Sequence, residues 1–207
     1  MTRFRKYGDA GQAFPIYITV VGGLLFLALA YFAVGQAAVN RNGAETAADA
    51  AALAAAQNTR NKLAGEWAKS VLEPTKWQAI FDGEGVVLDG CWRANELASR
   101  NDAHVEPGGC QPTLTPLGYT VSVQTDKPMG DSVVPGTADR RSKASATAVI
   151  ESRCKFKLPG ADAGSKALPQ LTCKGKKWDP KPDDLTHLPG PEDLFDVHLA
   201  DRQANDE

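Results

Sequence analysis

The longest apolar stretch of the chain lies close to its N-terminus. It reads FPIYITVVGGLLFLALAYFAV over residues 14–34, within a run from Ala10 to Asn40 that contains no charged residue. Because a helix rises 1.5 Å per residue, these 21 residues span about 30 Å, the thickness of a bilayer's hydrocarbon core. Tyr17 and Tyr31 lie near opposite ends, where interfacial aromatic residues are common. The pattern predicts a transmembrane helix over residues 14–35 rather than the buried core helix of a soluble protein.

The charges on either side of this helix predict its orientation. Arg3, Arg5 and Lys6 lie in the leader of residues 1–13, whereas Arg41 and then Glu45 and Asp49 follow the apolar run. The positive-inside rule therefore predicts a single-pass membrane protein with a cytoplasmic N-terminus and an extracytoplasmic C-terminus.

A cleaved signal peptide is the alternative to a membrane anchor. The segment Ala28-Leu29-Ala30 has the small-x-small form that signal peptidase accepts. Apolar residues continue past this point to Val34, which favours a retained anchor. Both alternatives place the rest of the chain outside the cytoplasm.

An alanine-rich segment over residues 36–73 follows the apolar run. It contains no proline before Pro74, which predicts one long helix that leaves the bilayer and continues outward as a stalk. Small side chains recur every four residues within it, and small residues allow helices to approach closely. We therefore predict a helix-packing site, for a partner in the same chain or a neighbouring one, at Ala44, Ala48, Asp49, Ala52, Leu53 and Ala56. The alternative is that alanine supplies only helix propensity to a solvated stalk.

Residues 75–173 mix strand and helix patterns. Strands are predicted at 86–88, 119–125 and 143–156, a helix at 91–103, and a loop rich in proline and glycine at 105–116. The predicted fold class is α+β, with a few antiparallel strands and one or two helices on one side. Residues 174–207 are dense in proline and charge, so a mostly disordered, exposed tail is predicted there.

All four cysteines, Cys91, Cys110, Cys154 and Cys173, lie beyond the apolar helix. An even number of cysteines in an oxidising compartment predicts two disulfides, for which three pairings exist. Sequential pairing closes two loops of similar size and is the preferred one. A zinc site is the alternative, but no pair has C-x-x-C spacing and the histidines form no ligand cluster with them.

The sequence contains no recognisable catalytic chemistry. It has no nucleophile elbow, no H-E-x-x-H helix and no phosphate-binding glycine loop, so we expect no enzyme activity, cofactor or small-molecule substrate. A net charge of −2 gives no reason to expect nucleic-acid binding. Asp82, Glu84 and Asp89 stand among glycines, but their spacing differs from that of a calcium-binding loop.

The first sixty residues resemble the Tad-like (TadG-type) Flp pilus assembly proteins. The resemblance is carried by Gly11 before the apolar helix and by Thr46-Ala-Ala-Asp-Ala-Ala-Ala-Leu-Ala-Ala-Ala56 after it. It implies a non-catalytic assembly role in a pilus or secretion system, with the lipid bilayer and other membrane subunits as partners and possible homo-oligomers through the N-terminal helix. The sequence leaves two other functions open, namely an anchored module that binds a cell-envelope ligand and an anchored hydrolase.

Overall fold

A single helix runs through the N-terminal third of the protein. The computed structural model describes residues 13–128, 139–158 and 168–200. Helix α1 extends without interruption over Ala13–Lys69, 57 residues, which confirms that the apolar run and the alanine-rich segment form one helix. It ends four residues before the predicted Glu73, and a short 3₁₀ turn at Pro74–Lys76 follows.

The remaining elements form a compact module around the C-terminal half of α1. Its helices and strands are α2 (Trp77–Phe81), α3 (Cys91–Arg100), β1 (Ala103–Leu114), β2 (Leu117–Thr125), β3 (Lys143–Ser152), β4 (Cys154–Lys155), β5 (Leu171–Cys173), β6 (Lys176–Trp178), α4 (Pro191–Leu194) and β7 (Phe195–Leu199). The main sheet has the order β1-β2-β3-β7 with antiparallel pairing throughout, and β4-β5-β6 form a second, small sheet. The predicted α+β class is confirmed.

Helices α1 and α3 cover one face of the main sheet, and α1 contacts β2, β3 and β7. The covered face carries every second side chain of β2, and of these Tyr119, Val121 and Val123 are completely buried. The intervening side chains lie on the polar face, where Thr120 contacts Thr147 of β3 across 2.9 Å between the hydroxyl oxygens. The sheet therefore has one face in the core and one face in water, as the period-two pattern predicts.

Strand β1 corrects the prediction of a loop at residues 105–116. The segment pairs with β2 from Ala103 to Leu114, with an irregularity between Val105 and Cys110. Its position explains why proline is tolerated, because β1 is an edge strand and pairs on one side only. Gly108, with φ of +71°, lies inside the irregularity, where a left-handed residue lets the strand bulge.

Two other predictions differ from the structure. Residues 86–88 are not a strand; they run back along α1 without a ladder partner. Residues 174–200 are not disordered, because β7 pairs with β3 from Ser152 to Ala148 and Phe195 is buried. Residues 201–207 of the predicted tail lie outside the described residues.

Both disulfides have the predicted sequential pairing. Cys91–Cys110 joins the start of α3 to β1, and Cys154–Cys173 joins β4 to β5, each across a separation of 19 residues. The bridges therefore fasten the edge strand and the small sheet, two parts with few buried side chains of their own.

Removal of one bridge should lower the stability of the module. We expect the Cys91→Ala/Cys110→Ala variant to lose about 3 kcal/mol of unfolding free energy, because loop closure no longer restricts the unfolded chain. The Cys154→Ala/Cys173→Ala variant is the matched comparison, since it opens a loop of the same separation. Thermal unfolding followed by circular dichroism measures both, and an unchanged midpoint in either variant would contradict this expectation.

Candidate helix-packing and membrane-facing site

Helix α1 has two sections with opposite surroundings. Over residues 14–39 its large apolar side chains are open, including Phe14, Leu25 and Val39 at 70%, 61% and 73% exposure. From Ala44 to Trp67 one face is buried in the module. Among the described residues, α1 is the one helix long and apolar enough to cross a membrane.

The predicted helix-packing residues lie in the second section. Ala44, Ala48, Ala52 and Ala56 are completely buried, and Asp49 and Leu53 of the same segment are half-buried. What covers this section is the chain's own module, since α1 contacts the sheet and α3. The alanine-rich segment is therefore the central core helix of the module, and the prediction of a separate stalk over residues 36–73 does not describe it.

The small side chains allow close approach to α3. A Cβ atom placed on Gly90, which precedes α3, would lie 2.4 Å from the carbonyl oxygen of Ala55 and 2.9 Å from the ring of Tyr119. No side chain fits between these two helices at this point. The small alanine side chains of α1 and the glycine before α3 therefore both contribute to this close packing.

A small polar cluster joins three elements beside this contact. The hydroxyl of Tyr119 on β2 lies 2.8 Å from the Thr59 hydroxyl of α1, and it accepts a hydrogen bond of 3.0 Å from the backbone N–H of Gly90. Thr59 and Tyr119 are both completely buried. Because no water replaces a lost partner there, this cluster helps to hold α1, α3 and β2 in register.

We expect Tyr119→Phe to lower the unfolding free energy by about 1–3 kcal/mol, because it leaves the buried Gly90 N–H and Thr59 hydroxyl without their partner. Thr59→Val is the matched variant of similar shape. If the cluster acts as one unit, the double variant should lose less than the sum of the two single losses. Additive losses in chemical denaturation would contradict a shared cluster.

The acidic residues of the glycine-rich turn do not converge. Asp82 accepts hydrogen bonds from Gln78, whereas Asp89 accepts one from Lys62 and one of 3.3 Å from Asn58. The hydrogen bond from Lys62 lowers the pKa of Asp89 below its usual value. Within the described ranges, no group of three or more histidines, cysteines or acids could hold a metal ion. The cysteines of the alternative zinc site are all in disulfides.

The last exposed turns of α1 and one edge of the module enclose an open cleft of about 630 Å³. Tyr31, Phe32 and Val39 line its helix side, and Asp102 and Lys127 lie on the module side. This edge comprises the end of α3 and the turn after β2, and it faces the last exposed turns of α1.

These features define a class of protein with one membrane-capable N-terminal helix that continues as the core of a disulfide-bonded α+β module. Residues 11–58 match the family model described as putative Flp pilus-assembly TadE/G-like. The N-terminal region therefore resembles this family, as the alanine motif predicts, and the match ends within α1. No curated protein and no solved structure matches the chain.

Proposed function

We propose that the chain is a non-catalytic, membrane-anchored component of a Tad/Flp-type pilus assembly or secretion system. Residues 14–34 of α1 span the membrane, the N-terminus lies in the cytoplasm, and the module lies outside. The observation that carries this proposal is the change along α1 from an open apolar helix to a buried core helix, within the region that matches the pilus-assembly family.

The helix supports a particular arrangement at the membrane. From Val34 to Ala44 there are ten residues, which correspond to about 15 Å of helix. The module therefore sits directly on the outer surface of the bilayer rather than at the end of a stalk. Since α1 continues into the core without a break, movement or tilt of the anchor is transmitted directly to the sheet.

Association with other subunits uses the open section of α1. The alanine stripe is covered by the module, so it is not available to a neighbour. The membrane section offers Gly22, Gly23 and Gly35, and a Cβ atom on any of them would meet nothing within 4 Å. Small residues in a membrane helix let a second helix approach closely.

Site-specific photo-crosslinking in cells tests this proposal. With p-benzoylphenylalanine in place of Leu25, we expect crosslinks to small membrane subunits of the pilus system. The matched probe replaces Ser145, which lies on the polar face of the sheet. Crosslinks from Leu25 to lipid alone, together with normal filaments in cells that lack the protein, would contradict the proposal. A module-specific crosslink from Ser145 to a cell-envelope component would instead support the binding-module alternative.

A further inference from the structure

The cleft between α1 and the module has a layered chemistry. At one end lie Tyr31 and Phe32, exposed at 83% and 62%, and at the other end lie Asn101, Asp102 and Lys127. The amide side chains of Gln36 and Asn40 line the helix between these ends. Val39, 73% exposed, also lines the cleft between Gln36 and Asn40, so the helix wall is apolar at one end and mixed in the middle, and the charged groups lie at the far end.

The polar wall is a built part of the fold. The backbone N–H of Asp126 donates a hydrogen bond of 2.8 Å to the carbonyl of Asp102, and this bond joins the turn after α3 to the end of β2. The Lys127 ammonium lies 3.3 Å from the carboxylate of Asp102. One cation and one carboxylate, both largely exposed, therefore lie side by side at the opening of the cleft.

The position of the cleft identifies what it meets. If the hydrocarbon core ends near Val34, Gly43 lies about 14 Å further along the helix, and the headgroup layer of a leaflet is about 5–8 Å thick. The cleft therefore begins at the edge of the hydrocarbon, crosses the headgroup layer and ends about 6 Å beyond it, so Lys127 meets a phosphate by reaching back along the cleft. The molecules present there at high concentration are the lipids themselves.

We infer that this cleft binds one phospholipid of the outer leaflet, with a zwitterionic headgroup of phosphate and ammonium. This inference rests on the membrane anchoring proposed above. The upper acyl chain segments lie against Tyr31 and Phe32, the phosphate pairs with Lys127, and the ammonium pairs with Asp102. A zwitterionic headgroup is favoured over an anionic one because the cations near the cleft each have a carboxylate beside them. Lys127 pairs with Asp102, Lys143 with Glu106, and Arg41 with Glu45.

Two glycines leave space in the cleft for the proposed lipid. Gly35 and Gly43 line it, and a Cβ atom on either would meet nothing within 4 Å. Each glycine costs about 1 kcal/mol of helix propensity relative to alanine. Gly43→Leu therefore places a large side chain in the cleft from a Cβ position that is open, and it also favours the helix. Gly65→Leu is the matched control, since Gly65 lies on the same helix with equally open surroundings but away from the cleft.

The test uses the full chain in vesicles of equal parts dioleoyl phosphatidylethanolamine and dioleoyl phosphatidylglycerol. After extraction into mild detergent, native mass spectrometry counts the lipids retained per protein. We expect the wild type and Gly65→Leu to retain one phosphatidylethanolamine. Gly43→Leu should lose about tenfold in retention, equivalent to about 1.4 kcal/mol. Formation of both disulfides and unchanged circular dichroism confirm that each variant is folded.

Asp102→Asn tests the headgroup assignment. Asp102 has φ of +52°, a conformation that asparagine also adopts, so the backbone is retained. Removal of the carboxylate leaves Lys127 unpaired, and the retained lipid should change to the anionic phosphatidylglycerol. An unchanged preference would overturn the assignment of the headgroup.

Other outcomes overturn the inference in distinguishable ways. Equal lipid retention in the wild type and Gly43→Leu would exclude the cleft as the binding site, with the anchor proposal intact. If the wild type were a dimer in the mass spectrum and Gly43→Leu were a monomer with unchanged lipid, the occupant of the cleft would be the helix of a second copy of the chain. Failure of the wild type to float with the vesicles would overturn both this inference and the proposed membrane anchoring.

Discussion

Replacement of both Ala48 and Ala52 with leucine should strongly destabilise the module. Both side chains are completely buried in its core, and each leucine adds three carbon atoms where no space is open. Overpacking costs about 1–3 kcal/mol per site, so the pair should lose about 2–6 kcal/mol. Since small domains have only about 5–15 kcal/mol of stability, this is a large fraction of the total. Thermal unfolding of the full chain in detergent measures the loss.

Ala68→Leu is the matched control for this experiment. Ala68 lies on the same helix and is exposed, so its replacement should change the midpoint little. If the double variant were as stable as the wild type but changed its crosslinked oligomers, the stripe would face a neighbouring subunit. That result would contradict the role of the alanine-rich segment as the core of its own module.

The second large effect is expected from charges in the apolar section. Leu24→Arg/Leu25→Arg should prevent stable membrane insertion, because arginine near the middle of a membrane helix is less favourable than leucine by about 3–4 kcal/mol per residue. The two side chains are 62% and 61% exposed, so no contact within the protein changes. Alkaline carbonate extraction of membranes should release the variant and retain the wild type.

Leu72→Arg controls for the added charge itself. Leu72 is an exposed apolar residue of the module, three positions beyond the end of α1. This variant should remain in the membrane pellet. Retention of the Leu24→Arg/Leu25→Arg variant in the pellet would show that the apolar section is not what holds the protein there.

The parts of the fold that the sequence predicts are those with local patterns. The apolar run and the proline-free segment predict α1, and strict alternation predicts β2. The preferred sequential pairing of the cysteines, which closes two loops of similar size, is also the one in the structure. In each of these cases the information lies within one stretch of chain.

The parts that the sequence does not predict depend on distant contacts. Strand β1 contains Pro107 and Pro112, which indicate a loop unless the strand is known to lie at an edge. Strand β7 lies in a proline-rich, charged region, and its place follows from pairing with β3 and from the contact of Phe195 with Phe81, whose ring centroids are 5.7 Å apart. Neither neighbour is visible in the local sequence.

The alanine stripe illustrates the same limit at the candidate site. Its spacing predicts a packing surface for a partner in the same chain or a neighbouring one, and in the structure the chain's own sheet and α3 cover it. The sequence gives no specific signal for the close approach at Gly90, because glycine is also a common residue directly before a helix. The sequence places Tyr119 in the predicted strand over residues 119–125 but does not indicate its hydroxyl contacts to Thr59 and Gly90.

The central claim is that the apolar section of α1 stays in the membrane and holds the module on the extracytoplasmic side. The most direct test is the intact mass of the protein extracted from membranes after treatment with N-ethylmaleimide and without reduction. The account predicts a chain that retains residues 14–34 and carries no adduct on any of its four cysteines, all of which are in disulfides. A mature chain that begins beyond Ala30, or one with maleimide on its cysteines, would contradict it.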